Sequence, residues 1–175
     1  MLGGPAERCP FGTAGGTTAE VAVTSGGRSD AGTGWATRQP LRHVASPVVR
    51  LVPIDPPSVP ATSGGYVNAM AVEAATRLLF TSGQIPQTRD GHVPADAEEQ
   101  CRLIWAHITA LLTEAGMTVA NLVKVTTFLG DRAHAAANTA VRDEVLGKHR
   151  PALTVIVTGI FDPAWLLEIE AVAAD

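Results

Sequence analysis

Cysteine is scarce in this chain: Cys9 and Cys101 are the only two in 175 residues. Two thiols are too few for a disulfide framework, so a reducing, cytoplasmic setting is expected. Aromatic residues reach only 5%, and the 13 Lys and Arg are scattered against 17 Asp and Glu, for a net charge of −4. A nucleic-acid surface needs clustered cations and often stacking rings, so no nucleic-acid partner is expected. Long apolar runs are missing as well; none reaches the roughly 18–20 residues that cross a bilayer. The N-terminus lacks the charged patch and apolar block of a secretory signal, so no membrane partner is expected either. Phosphate-binding glycine motifs and the G-x-S-x-G elbow do not occur. His43, His92, His107, His134 and His149 show neither H-E-x-x-H nor any paired spacing, which leaves no metal site to expect.

What remains is a chain with 46% apolar and 17% charged residues, enough for one domain with a real core. Residues 1–60 are rich in Gly, Thr, Ser and Ala and lead into the extended "PIDPPSVP". Segments so poor in large apolar side chains do not repay their ordering entropy. This stretch reads as a disordered or loosely packed extension, or as the product of a translation start placed too far upstream. Its one strand-like piece is "VVRLVPI".

Periodic signals begin near Gly65 and define a domain over 61–175. "YVNAMAVEA" and "RLLFTSG", separated by a bend at Ala75–Thr76, predict a hairpin. Asp90-Gly91 predicts a turn. Asp96 with Glu99 opens a helix on which Cys101, Ile104, Trp105, Ile108, Leu111, Leu112 and Ala115 recur at helical spacing up to Gly116. "NLVKVTTFLGD" alternates as a strand, with Leu122, Lys124, Thr126 and Phe128 expected on one face. A second helix is expected over 133–146, and "ALTVIVT" and "WLLEIEAV" close the chain as strands. The order β-β-α-β-α-β-β implies an α+β or α/β sheet with both helices on one face.

Candidate chemistry sits where strands end. In "LLFTSGQIP" an apolar strand runs into Thr81-Ser82-Gly83-Gln84, and Gly83 lets backbone approach a ligand; an ordinary strand-ending turn reads equally well. Asn138 is placed to point inward from the second helix, where a buried Asn more often satisfies backbone groups. Glu168 and Glu170 share a strand face by the two-residue period. Beside a cleft, such a carboxylate handles protons; on a solvent face it is unremarkable. Cys101, on the apolar stripe, reads as an inert buried thiol.

Taken together, "TSGQIP", "DAEEQ", "LVKVTTFLGD", "AAANTAV", "RPALT" and "LEIEAVA" resemble, in order over residues 65–175, the RidA (YjgF) family of reactive-intermediate deaminases. The resemblance implies a chorismate-mutase-like α+β fold, a mixed sheet with two helices on one face. It also implies a homotrimer with a small-molecule cleft at each subunit interface, and hydrolysis of enamines and imines to keto acids and ammonia without metal or organic cofactor. Matched position by position, it assigns Tyr66, Ser82, Gly83 and Asn138 to ligand binding and Glu168 to the activation of water, and leaves Glu170 structural.

One position departs from that pattern. Where the family carries Pro-Ala-Arg-Ser or Pro-Ala-Arg-Thr, this chain reads Pro151-Ala152-Leu153-Thr154. The arginine's fork clamps a substrate carboxylate, and leucine has no donor. By analogy with truncated buried charge pairs the loss is roughly 2–5 kcal/mol, or on the order of 30- to several-thousand-fold in affinity. Arg150 falls on the opposite face of a regular strand, so only Arg142 or Arg150 from a neighbouring subunit offers a replacement. Two functions therefore stand: a deaminase whose substrate does not depend on that arginine, with Leu153 making the pocket more apolar, or a non-catalytic small-molecule-binding trimer acting as sensor or scavenger. RNA cleavage, a third option, is opposed by the acidic balance.

Overall fold

A computed structural model of the protein describes residues 48–175. "VVRLVPI" supplies the first strand, β1 (Arg50–Ile54), antiparallel to β2 (Ala69–Glu73). The remainder of the expected N-terminal extension up to residue 47, with Cys9 and His43, lies outside the described residues.

Four further strands, β3 (Leu78–Phe80), β4 (Leu122–Leu129), β5 (Ala152–Val157) and β6 (Leu167–Ala174), form a sheet in the order β3-β6-β4-β5. β4 and β5 are parallel, while β6 is antiparallel to both β3 and β4. The sheet is therefore mixed, and the fold is α+β. A parallel bridge from Val67 to Ala152 ties the β1–β2 ribbon to the free edge of β5.

The helices α1 (Ala97–Glu114) and α2 (Ala135–Leu146) both cover one face. Asp96 caps α1 by accepting from the Glu98 and Glu99 amides at 2.8 and 3.1 Å, and Glu98 and Glu99 complement the helix dipole. The predicted stripe packs as expected: Cys101, Ile104, Trp105, Ile108 and Leu112 meet Val141 and Leu146 of α2 and the inward side chains of β4 and β6. Leu111 does not, being 40% exposed at the margin of the stripe. α2 connects two parallel strands and must run back against them, which sets its last turns over the start of β5.

Two further sequence expectations fail. The hairpin between "YVNAMAVEA" and "RLLFTSG" does not form, because β2 pairs with β1 and β3 with β6. The bend, with Ala74 in the left-handed region (φ 59°), hands the chain to the C-terminus instead. The Thr76 and Arg77 amides both donate to the Asp175 carbonyl, at 2.7 and 2.8 Å, and the Arg77 and Asp175 side chains form an ion pair. In β4, a register shift between Leu122 and Lys124 puts Leu122 into the core, fully buried, while Lys124, Thr126 and Phe128 stay on the open face. Among the described residues no helix is long and apolar enough to cross a membrane.

Candidate functional site

β6 alternates as its pattern demands: Leu167, Ile169, Ala171 and Ala173 point into the core, so Glu168 and Glu170 stand on the face free of helices. After β3 the chain continues along β6. The Thr81 amide donates to Ala171 O at 3.0 Å, and the Ala171 amide donates to Thr81 Oγ1 at 2.9 Å. Gln84 and Ile169 then exchange both backbone bonds, at 2.8 and 3.2 Å. Ser82 and Gly83 arch between these anchors. Among the described residues neither of their amides has an acceptor. Ser82 is exposed and Gly83 half-buried.

The Glu168 side chain lies directly on Gly83. A Cβ at position 83 would overlap the carboxylate oxygen and stand 2.6 Å from Cδ and 3.0 Å from Cγ. Any side chain there would push the carboxylate away, so the loop and the carboxylate form one unit: a half-buried acid beside two free amide donors. Glu170 has a different setting. It lies opposite Thr126, and its charge works against the burial that lowers the pKa of Lys124, whose ammonium donates to Thr154 Oγ1.

The other expected positions have different settings. Asn138 is 2% exposed and accepts from the Cys101 thiol at 4.0 Å. Cys101 is fully buried, as its place on the stripe predicted, and burial pushes its pKa up to about 12 against the opposing charges of Arg102 and Arg142. Tyr66 is half-buried immediately before Val67, whose amide donates to Pro151 O at 3.3 Å. Leu153 pairs with Val125 across β4–β5 and packs against the core. Arg150 is spent locally, its Nη1 donating to the carbonyls of Gly147 and His149 at 2.6 and 2.9 Å.

Within one chain, then, Ser82, Gly83 and Glu168 come together, whereas Asn138 and Leu153 lie on the helix-covered side of the sheet. Leu153 shares a face with Val125, whereas Glu168 pairs with Phe128 on the other. Among the described residues three buried polar side chains escaped the sequence reading: Gln100, Thr127 and Arg142. Gln100, 1% exposed, donates to Pro94 O and Ala164 O at 2.7 and 2.9 Å and accepts from the Leu166 amide at 2.8 Å, fixing the entry to β6. Arg142, 5% exposed, was noted only as a replacement arriving from another subunit. Its register with Asn138, one turn earlier, was the signal that both face inward.

These features define a small α+β protein with a carboxylate seated on a glycine loop at the open face of a mixed sheet. The sequence pattern of the family described as Endoribonuclease L-PSP matches residues 57–175, and the chain belongs to that family, the RidA/YjgF group. It is 30% identical to the candidate reactive intermediate deaminase TdcF of Escherichia coli K12, over 69% of this chain and 94% of that protein. It is 34% identical to a RutC family protein of Pasteurella multocida, over 66% of this chain and 92% of that protein. Among solved structures, YyfB of the conserved Rid protein family from Yersinia pestis is similar with a TM-score of 0.64 and 26% identity, covering 71% of this chain and 98% of that one. Escherichia coli TdcF with bound serine is similar with a TM-score of 0.54 and 29% identity, covering 71% and 98% respectively.

Proposed function

We propose that this chain hydrolyses the C=N bond of a small imine, taken as such or formed when an enamine tautomerises by protonation at carbon, releasing a carbonyl compound and ammonia. Water adds to the imine carbon, and Glu168 takes its proton as the C–O bond forms. That proton passes to nitrogen to give the carbinolamine, and the hydroxyl proton follows by the same route as the C=O bond forms, the C–N bond breaks and ammonia leaves, so both protons of the water end on nitrogen and no cofactor is consumed. The free amides of Ser82 and Gly83 face oxygen or nitrogen as charge develops. The observation that carries this reading is the Glu168 carboxylate held against Gly83 beside two unpaired amides. Similarity to a relative named as a candidate reactive intermediate deaminase supports it.

A homotrimer completes the cleft in this reading. Leu78, Phe80 and Ile156 are 57%, 68% and 45% exposed, apolar surface that asks for a partner. Tyr66, Asn138 and Leu153 then meet the Glu168 loop of a neighbouring subunit. RNA cleavage is disfavoured by the net charge of −4 and the sparse aromatics.

A second reading, a trimer that binds a small molecule without catalysis, is favoured by Leu153, which supplies no donor where the family pattern has arginine. Coupling the chain to a threonine dehydratase and following keto-acid release separates the two. Acceleration that disappears in Glu168→Gln supports the deaminase. No acceleration in the parent with a clear gain in Leu153→Arg supports the binder, and acceleration in the parent that survives in Glu168→Gln refutes the assignment of Glu168. A rise in melting temperature with individual metabolites reports binding directly.

A further inference from the structure

The outer flank of the helix pair carries a groove on the far side of the sheet from the Glu168 loop. It measures about 630 Å3 and runs along α1 beside Val145 of α2. Ala106, Thr109, Ala110 and Thr113 recur at i, i+3, i+4 and i+7, so their short side chains share one face of α1 and leave a depression there. All four are exposed, so the groove opens away from the sheet. A trimer built through the opposite, helix-free face leaves it clear.

Trp105 lines the same groove. It is 1% exposed, and its Nε1 is one of two buried side-chain polar atoms with no partner among the described residues. An indole N–H can only donate, so a buried one left unpaired is a standing cost to the fold. Water is a poor occupant, because a held water needs several polar partners and the walls here are largely Ala, Val and Thr. Thr113 already donates its hydroxyl to Thr109 O at 2.8 Å. The charges at the two ends narrow what fits. Arg102 is tied to Glu98 and Glu144 at 2.9 and 2.8 Å, which straps one end across to α2. Glu114, at the other end, has no cationic partner among the described residues. Three carboxylates against one guanidinium disfavour an anion, while an unpaired N–H asks for an acceptor. A neutral molecule with an acceptor oxygen meets both conditions, and the volume suits a small-molecule site.

We propose that this groove between α1 and α2 binds a small, neutral, largely apolar molecule whose carbonyl or ether oxygen accepts the Trp105 indole N–H. The site is separate from the Glu168 loop and does not depend on the deaminase reading. Its occupant differs in kind from an imine substrate: the acidic rim turns anions away, and the Ala106–Ala110 floor contacts a flat apolar skeleton.

The test follows the Trp105 Nε1–H resonance of the full chain by NMR while 1-tetralone is titrated in. Trp35→Phe and Trp165→Phe assign that resonance by elimination, so Trp105 itself stays intact. Tetralin, the same skeleton without the oxygen, and 1-naphthoate, an anion of similar size, are the counterparts. 1-Tetralone shifts the Trp105 resonance saturably, tetralin binds on the order of tenfold more weakly, and 1-naphthoate also binds more weakly than the ketone. Ala110→Phe fills the groove from an exposed helix position, so the fold is kept and the 1-tetralone shift is lost. A Trp105 resonance that does not move up to the solubility limit of 1-tetralone overturns the proposal. Equal affinity for tetralin overturns the hydrogen bond, and a preference for 1-naphthoate overturns the neutral occupant. A shift that persists in Ala110→Phe overturns the groove as the site.

Discussion

Gly83→Ala isolates the contact between the loop and the carboxylate. The added methyl group would overlap the Glu168 carboxylate and sit 2.6 Å from its Cδ. Restoring ordinary contact at 3.4 Å requires the nearest carboxylate oxygen, 1.6 Å from that methyl position, to retreat by about 1.8 Å. The backbone at 83 is not in the left-handed region, so alanine brings no conformational strain there. Glu168 is half-buried and its carboxylate is the end of a flexible side chain, so the stability cost is expected to be about 1 kcal/mol or less. Catalysis is far less forgiving, since displacement of a reacting group by about 1 Å costs on the order of 100-fold. The expected outcome is therefore a fall of about 100-fold in kcat for imine hydrolysis, with the melting temperature shifted by only a few degrees. The double variant Gly83→Ala/Glu168→Gln should be no slower than Glu168→Gln alone, because both changes disable one unit. A Gly83→Ala protein with parental kcat, or losses that simply multiply in the double variant, would refute the claim that loop and carboxylate act together.

Other parts of the molecule give independent checks. Gln100→Leu leaves the Pro94 and Ala164 carbonyls and the Leu166 amide without their partner and should destabilise the domain by roughly 2–4 kcal/mol in urea unfolding; a loss below about 0.5 kcal/mol would contradict the buried bridge. Cys101 keeps its proton in the folded state up to about pH 12 but releases it near 9 when unfolded. Its stabilising contribution is complete below pH 9 and drains away as pH rises toward 12, at up to about 1.4 kcal/mol per pH unit. Cys101→Ala should flatten that alkaline slope, and an unchanged slope would rule out the thiol as its source. Sedimentation of the parent should give a trimer; a monomer would leave Asn138 and Leu153 on the opposite side of the sheet from the Glu168 loop with nothing to join them.

Local signals carried much of the fold. Asp96, the stripe from Cys101 to Leu112 and the alternation of "LEIEAVA" each report on neighbours within a few residues, and each element formed as read. The hairpin was misread because its fate depends on Asp175, far away in sequence, whose carbonyl captures the Thr76 and Arg77 amides. The face of Leu122 was misread because a one-residue register shift is silent in a hydrophobic pattern. The site divides the same way. That Glu168 and Glu170 share a face follows from the two-residue period, but contact between Glu168 and Gly83 depends on the path of the loop along β6. Burial of Asn138 was legible, whereas burial of Arg142 was not, since arginine is ordinarily a surface residue.

The most direct test of the whole account is the initial rate of keto-acid release from a dehydratase reaction, measured with and without this protein and with Glu168→Gln. The account predicts acceleration proportional to protein concentration, abolished by the substitution while the melting temperature stays within a few degrees of the parent. Acceleration that survives intact in Glu168→Gln would contradict it.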